Sequence, residues 1–106
     1  DFWASWCGPC TADMPHVIAL YEKYKDKGLK VIGITVSDTL EKSDSVVQKL
    51  GIPFPQIYES KPMSIYGVTG IPHKILFAPD GTILSRRIAS SKELDRKLEE
   101  IFNDNK

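Results

Sequence analysis

The sequence predicts an α/β sandwich, on three observations. Leu29 to Val36 is short and nearly continuous in apolar and β-branched residues, so it reads as an interior parallel strand covered on both faces. Stretches on either side of it, and a third near the C-terminal end, space their apolar residues by three and four, the period of a helix with one buried face. Pro79-Asp80-Gly81, set between two apolar runs, is a turn that folds those runs into a hairpin. In chain order this gives strand, helix, strand, helix, hairpin, helix: a β-α-β half followed by a β-β-α half.

Asp1-Phe2-Trp3-Ala4 reads as the end of a strand, because aromatic residues favour a pleated surface and a Cys-Gly-Pro-Cys turn follows at once. From Cys10 to about Lys25 a helix presents Met14, Val17, Ile18, Tyr21 and Tyr24; Pro15 should kink it, and Gly28 marks its exit. Ser43 to Leu50 forms a short helix presenting Val46, Val47 and Leu50, stopped by Gly51. Gly51-Ile52-Pro53-Phe54-Pro55 reads as loop, since two prolines two apart suit neither a helix nor a central strand. Lys74 to Phe77 and Thr82 to Ile88 are the hairpin strands. Ser90 with Glu93 makes a capping box, and Leu94, Leu98, Ile101 and Phe102 then form one apolar stripe on a last helix running to the C-terminus.

The 106 residues amount to one small domain, residues 1–106, with no internal repeat, low-complexity stretch or linker. Such a domain buries roughly two thirds of the surface its unfolded chain exposes, so its core is thin and damage to one element is felt. Lysine and arginine total 14, as do aspartate and glutamate, and this balance gives no electrostatic footprint for nucleic acid or an anionic membrane surface. No apolar run approaches the roughly 18 residues of a membrane span, and no basic-then-apolar leader opens the chain, so neither a membrane segment nor an address is expected in it.

Two cysteines are too few for a disulfide scaffold, and Cys7-Gly8-Pro9-Cys10 closes too small a loop for a bond there to stabilise the fold appreciably. The pair therefore points to chemistry. At a strand-to-helix junction the first sulfur meets free N–H groups and the positive end of the helix dipole, which stabilise a thiolate. Cys7 is the expected nucleophile and the more exposed of the two. Cys10, one turn further in, can reach a mixed disulfide formed by Cys7 and resolve it. Gly8 lets a substrate backbone approach, and Pro9 costs no hydrogen bond in the first helical turn. A zinc half-site is the competing account, but the only added nitrogen donors, His16 and His73, form no spaced second pair.

These residues resemble the thioredoxin superfamily. Asp1-Phe2-Trp3-Ala4-Ser5-Trp6-Cys7-Gly8-Pro9-Cys10 is similar to its active-site segment, and Pro15 falls where that family has a kinking proline. Tyr66-Gly67-Val68-Thr69-Gly70-Ile71-Pro72, followed by Lys74-Ile75-Leu76-Phe77, is similar to its second hallmark, the loop with a cis-proline. Asp13-Met14-Pro15, Phe54-Pro55 and Ala78-Pro79-Asp80-Gly81 are most similar to the TlpA and ResA type of extracytoplasmic thiol reductase. The resemblance spans nearly the whole chain and implies a thioredoxin-like sandwich, a mixed central sheet with helices on both faces. It implies that Pro72 packs against the disulfide while the Ile71 backbone pairs with an extended substrate segment, with Trp6, Gly8 and Pro9 on the same substrate-binding surface. It also implies a periplasmic or otherwise extracytoplasmic location and a part in cell redox homeostasis. In this family the strand entering the CxxC motif is central, and only about four of its residues are present. The chain therefore reads as shortened at its N-terminus, its first strand largely missing, with intermolecular strand pairing expected at the open edge.

Asp13 lies three residues after Cys10, on the same helix face, placed to move a proton to or from that thiol. An acid near a helix N-terminus also has a bland account, favourable interaction with the dipole. The reductase resemblance, in which an acid at this place assists the second cysteine, adds Asp13 to Cys7 and Cys10 as a catalytic residue, and Asp13→Asn is expected to slow turnover more than it changes stability. Asp1 is similar to the buried acid of thioredoxins. His73 reads better as a satisfied strand histidine than as a ligand, and Lys92 to Glu100 as a solvated helix face. The expected function is reversible dithiol-disulfide exchange with protein substrates in the reducing direction, with no metal and no cofactor beyond the Cys7-Cys10 pair, and with an upstream thiol electron donor. The alternative is a non-enzymatic module of the same fold presenting the Ile71-Pro72 groove to a partner; the intact CxxC argues against it.

Overall fold

Phe2 and Trp3 turn to opposite faces of a sheet, and the rest of the computed structural model, which describes residues 1–103, is layered around them. These two residues are β1. Helix α1 (Gly8–Tyr24) returns the chain to β2 (Gly33–Thr35), which pairs parallel to β1 with Phe2 opposite Ile34. Helix α2 (Leu40–Leu50) leads to β3 (Gln56–Tyr58), parallel to β2 on its other side. After α3 (Lys61–Ile65) come the antiparallel pair β4 (Lys74–Phe77) and β5 (Ile83–Ile88), then α4 (Ser91–Asn103). An antiparallel bridge between Phe2 and His73, with N···O distances of 2.9 and 3.4 Å, joins the hairpin to the parallel strands and makes the arrangement mixed.

On the Trp3 face, Met14 and Val17 of α1 pack with Ile52 and Phe54, and Val46, Val47 and Leu50 of α2 close over them. Further along α1, Leu20 and Tyr24 meet Leu98 of α4, and Tyr24 stacks on Phe102 with ring centroids 5.0 Å apart. On the Phe2 face, Val36 and Val68 are buried under Met63 of α3. Helices thus cover both faces, as the resemblance implies. Gly33 makes room for the Gln56 carboxamide: a Cβ there would push that group aside, and with it the 2.9 Å hydrogen bond its Oε1 accepts from the Trp3 indole. Gly28, at φ +106°, ends the 3₁₀ turn Lys25–Lys27 that follows α1, a conformation L side chains rarely adopt.

Two elements correct the expected order. β3 and α3 lie in the stretch between the short second helix and the hairpin, where no strand or helix was expected. β3 begins one residue after Pro55 and is three residues long, and α3 is a five-residue helix with Pro62 in its first turn. Elements that short carry too little periodicity to be read from sequence. The strand expected over Leu29–Val36 shrinks to Gly33–Thr35 and is not covered throughout, for Ile32 is 49 % exposed. Its pairing with β1 starts only at Ile34 and its pairing with β3 at Gly33, so Leu29 to Ile32 lie outside both ladders. Alongside, a cavity of about 910 Å³ is bordered by Ile32, Ile34, Ile57, Ile75, Phe77 and Leu84. Helix α1 starts at Gly8 rather than Cys10, α2 at Leu40 rather than Ser43, and β5 at Ile83 rather than Thr82. The reach of the last helix to the C-terminus concerns residues 104–106, outside the described residues.

Candidate active site

The turn from β1 into α1 places Cys7 as the N-cap of the helix: its backbone is extended, and its Sγ accepts the backbone N–H of Cys10 at 3.2 Å. A sulfur thus takes the place that a serine or aspartate oxygen usually holds at a helix start. Cys7 and Cys10 are joined in a disulfide, with Cα atoms 5.2 Å apart. No acidic residue sits in the first turn of α1 to compete for its free N–H groups. Gly8 and Pro9 are exposed between the two sulfurs, while Cys7 is 5 % and Cys10 2 % exposed. Cys7 is the slightly more exposed of the two, but in the disulfide both are buried, because each belongs to the cluster built on Trp3, Ala4 and Met14.

Ile71 packs on that same cluster, and the Ile71-Pro72 peptide bond is cis. The two sequence hallmarks, with Ile71 lying 61 residues after Cys10, therefore meet. Beside them a cleft of about 420 Å³ is lined by Thr69, Gly70, Ile71, Pro72, Arg86 and Arg87, among others. His73 is buried; its Nε2 lies 2.8 Å from the Arg86 carbonyl oxygen and its ring meets Phe2 edge-on, so it is a satisfied strand histidine. Trp6, directly before Cys7, is 61 % exposed and donates its indole N–H to the Ser37 carbonyl at 2.9 Å.

Two carboxylates anchor this constellation. Asp38, which the sequence reading passes over, accepts the Ser5 N–H at 2.7 Å, the Ser43 hydroxyl at 2.9 Å and the Thr39 N–H at 2.9 Å. Burial pushes its carboxyl up, but the Ser5, Ser43 and Thr39 donors outweigh it and hold the group below the ordinary carboxylate value. Ser37 before it, at φ 48°, is in the left-handed region, held there by its N–H on Ser60 Oγ at 2.7 Å. The available signal was position: Ser37-Asp38 follows the C-terminal end of a parallel strand, where open α/β sheets keep their sites.

Asp13 faces inward from α1. Its Oδ2 accepts from the Lys74 ammonium at 2.8 Å and its Oδ1 from the Ser91 N–H at 3.3 Å, at the start of α4. Neither sulfur is among its hydrogen-bond partners. Burial raises its carboxyl and the Lys74 and Ser91 hydrogen bonds lower it, with a net downward shift. Lys74, only 4 % exposed, also lies 3.6 Å from Oδ1 of Asp1, an oxygen that is buried without a hydrogen bond. Lys74 was legible only as a charged residue opening an otherwise apolar strand.

Residues 1–86 match the family model described as "AhpC/TSA family". The chain is 31% identical over 105 residues to thiol-disulfide oxidoreductase ResA of Bacillus thuringiensis, and 30% identical over 106 residues to ResA of Oceanobacillus iheyensis. It covers 61% and 54% of those two proteins, and they align to 95% and 98% of this chain. The chain thus spans about three fifths or less of the curated relatives' length. Among solved structures, the thioredoxin domain of a thiol-disulfide oxidoreductase from Bacteroides vulgatus superimposes with a TM-score of 0.86 at 25% identity, over 97% of this chain and 76% of that one. A thiol:disulfide interchange protein from Bacteroides sp. gives the same score and identity over 100% and 72%. With the buried cysteine pair, the mixed sheet and these matches together, the chain belongs to the AhpC/TSA family, on the thioredoxin-like side where the ResA oxidoreductases lie.

Proposed function

We propose that this chain is the redox domain of a thiol-disulfide oxidoreductase acting on protein disulfides in the reducing direction. The observation that carries it is the Cys7-Cys10 disulfide with Cys7 Sγ as the helix cap, because the Cys10 N–H that the sulfur accepts, at the positive end of the helix, would stabilise it as a thiolate. In the reduced form, Cys7 thiolate attacks one sulfur of a substrate disulfide, and the other sulfur leaves as a thiol after taking a proton. Cys10 then loses its proton, attacks Cys7 Sγ and releases the second substrate thiol, re-forming the Cys7-Cys10 bond. Two electrons pass to the substrate, and an upstream thiol donor restores the dithiol, with no further cofactor. Asp13 is the candidate base for Cys10, and Trp6, Gly8, Pro9, Ile71 and Pro72 form the surface on which an extended substrate lies, the cis-proline loop supplying backbone pairing.

The ResA likeness supports a periplasmic or other extracytoplasmic setting and a role in redox homeostasis there; among the described residues no helix is long and apolar enough to cross a membrane. Residues 1–106 are proposed to act as one thioredoxin-like domain. The test is trapping. Cys10→Ser should accumulate a mixed disulfide through Cys7 with a reducible protein such as insulin, and the wild type should catalyse insulin reduction by dithiothreitol. Complexes recovered only from Cys7→Ser would reverse the assignment. A wild type that binds such proteins without turnover would favour the binding-module reading.

A further inference from the structure

A lysine 4 % exposed at the first position of β4, two residues past the cis-proline, is costly to bury unless it is paired. Its Nζ is 2.8 Å from Asp13 Oδ2 and 3.6 Å from Asp1 Oδ1. The first contact is a hydrogen bond; the second is longer, and that Asp1 oxygen is buried with no hydrogen bond at all. The ammonium therefore has one occupied and one vacant acceptor on either side. Around it, α1 supplies Asp13, β1 is preceded by Asp1, β5 presents the apolar Ile88 opposite Lys74, and α4 places the Ser91 N–H on the other oxygen of Asp13. Among the described residues Lys74 has no other ion-pair partner.

We propose that Lys74 is a positioning residue of the exchange reaction, one that holds Asp13 as an ionised carboxylate one helical turn from Cys10 and frees it to accept the Cys10 proton by moving toward Asp1. This rests on the oxidoreductase reading given above. A carboxylate held by an ammonium is a weak base, and base strength governs proton transfer to it. With the ammonium closer to Asp1, Asp13 keeps its charge but loses its strongest stabiliser. The Cys10 Sγ–H proton then passes to Asp13, the Cys10 thiolate attacks Cys7 Sγ, the Cys7-substrate bond breaks and the departing sulfur leaves as thiolate. Burial opposes charge on Asp13 and the Lys74 hydrogen bond restores it, so removing the ammonium must shift Asp13 toward its neutral form.

The reduced protein, mixed with an aromatic disulfide whose thiolate is coloured, releases one equivalent when Cys7 attacks and a second when Cys10 resolves. Lys74→Met should leave the pH profile of the first release as in the wild type and move the acid limb of the second upward by a pH unit or more, about a tenfold slowing below that limb. Lys74→Arg should restore the wild-type limb. A lysine that only supported the fold would change the melting temperature and not the limb, and an unshifted second release in Lys74→Met overturns the proposal. If that variant does not fold, Lys74→Met/Asp13→Asn removes both charges, and its second release should lose the acid limb; retention of the wild-type limb overturns the proposal as well. A wild type with neither release overturns the oxidoreductase reading itself, whereas normal releases with an unaltered limb in Lys74→Met overturn the role of Lys74 alone.

Discussion

Two carboxylates lie in the segments flanking the disulfide, Asp38 on the backbone N–H of Ser5 before Cys7 and Asp13 three residues after Cys10, and the two are held by different kinds of donor. Asp38 takes two backbone N–H groups and a hydroxyl, all neutral, and two of its three partners belong to its own loop and the helix that follows. Asp13 takes a buried ammonium and one backbone N–H, from two elements distant in sequence. Neutral backbone donors fix a position and do not respond to protonation nearby. An ammonium with a second carboxylate in reach does respond, since its partner can change. The Asp38 side therefore fixes the Ser5 backbone ahead of Cys7, and the Asp13 side is the one suited to the proposed handling of charge beside Cys10.

The largest effect should come from breaking the Asp13 side. Asp13→Asn leaves Lys74 buried with only the more distant Asp1 oxygen, and breaking a buried pair costs several kcal/mol; allowing for the partial exposure of Asp13, about 2 to 3 kcal/mol is expected. Urea unfolding measures it. Turnover in the insulin assay should fall about 10- to 100-fold through the lost base. The expectation from sequence is that turnover falls more than stability; the Lys74 pair, not visible there, adds the stability loss to the prediction. A variant as stable as the wild type would mean that Lys74 relaxes fully onto Asp1.

Asp38→Ala should cost less, about 2 kcal/mol, since it strands the Ser43 hydroxyl and the Ser5 N–H but leaves no buried charge. Both carboxyls are lowered in the folded state, so the stability each contributes is full above the unfolded value near pH 4 and is lost as the pH falls through the lower folded value. Wild-type stability should decline as the pH is taken from about 5 to about 2, and Asp38→Ala should decline less. The pH dependence of turnover should not move, because Asp38 touches neither sulfur. A shifted turnover profile in this variant would erase the contrast between the two sides.

What sequence made legible in this molecule was what is local. Cys7-Gly8-Pro9-Cys10 at a helix start, the Pro79-Asp80-Gly81 turn and the Ser90 cap each depend on neighbours within a few residues, and the Glu93 N–H does meet Ser90 Oγ, at 3.3 Å. The resemblance extended that reach to Ile71-Pro72. Asp38 with Ser5, and Lys74 with Asp13, are partners 33 and 61 residues apart, and nothing in a periodic pattern specifies which charged side chain a fold will turn inward. Short elements failed for a related reason: β3 is held by its ladder to β2 more than by any preference of Gln56-Ile57-Tyr58.

The smallest effect sharpens the Asp38 side. Trp6 is mostly exposed, so its packing contributes little, and its defined contact is the indole N–H on the Ser37 carbonyl. Trp6→Phe keeps an aromatic face for substrate and removes that one bond, a neutral hydrogen bond at the surface, for a loss of about 0.5 to 1 kcal/mol by urea unfolding. Ser37 adds a reason for the loss to stay small: at φ 48° it is strained, and releasing its carbonyl lets that strain relax in part. The same variant should raise KM for a protein disulfide while leaving kcat near the wild-type value, because the proposed role of Trp6 is to meet substrate, apart from the proton transfer proposed at Cys10. A fall in kcat with KM unchanged would show that the indole bond positions Cys7 for attack, and would give the Ser37-Asp38 loop a share in the chemistry proposed for the Asp13 side.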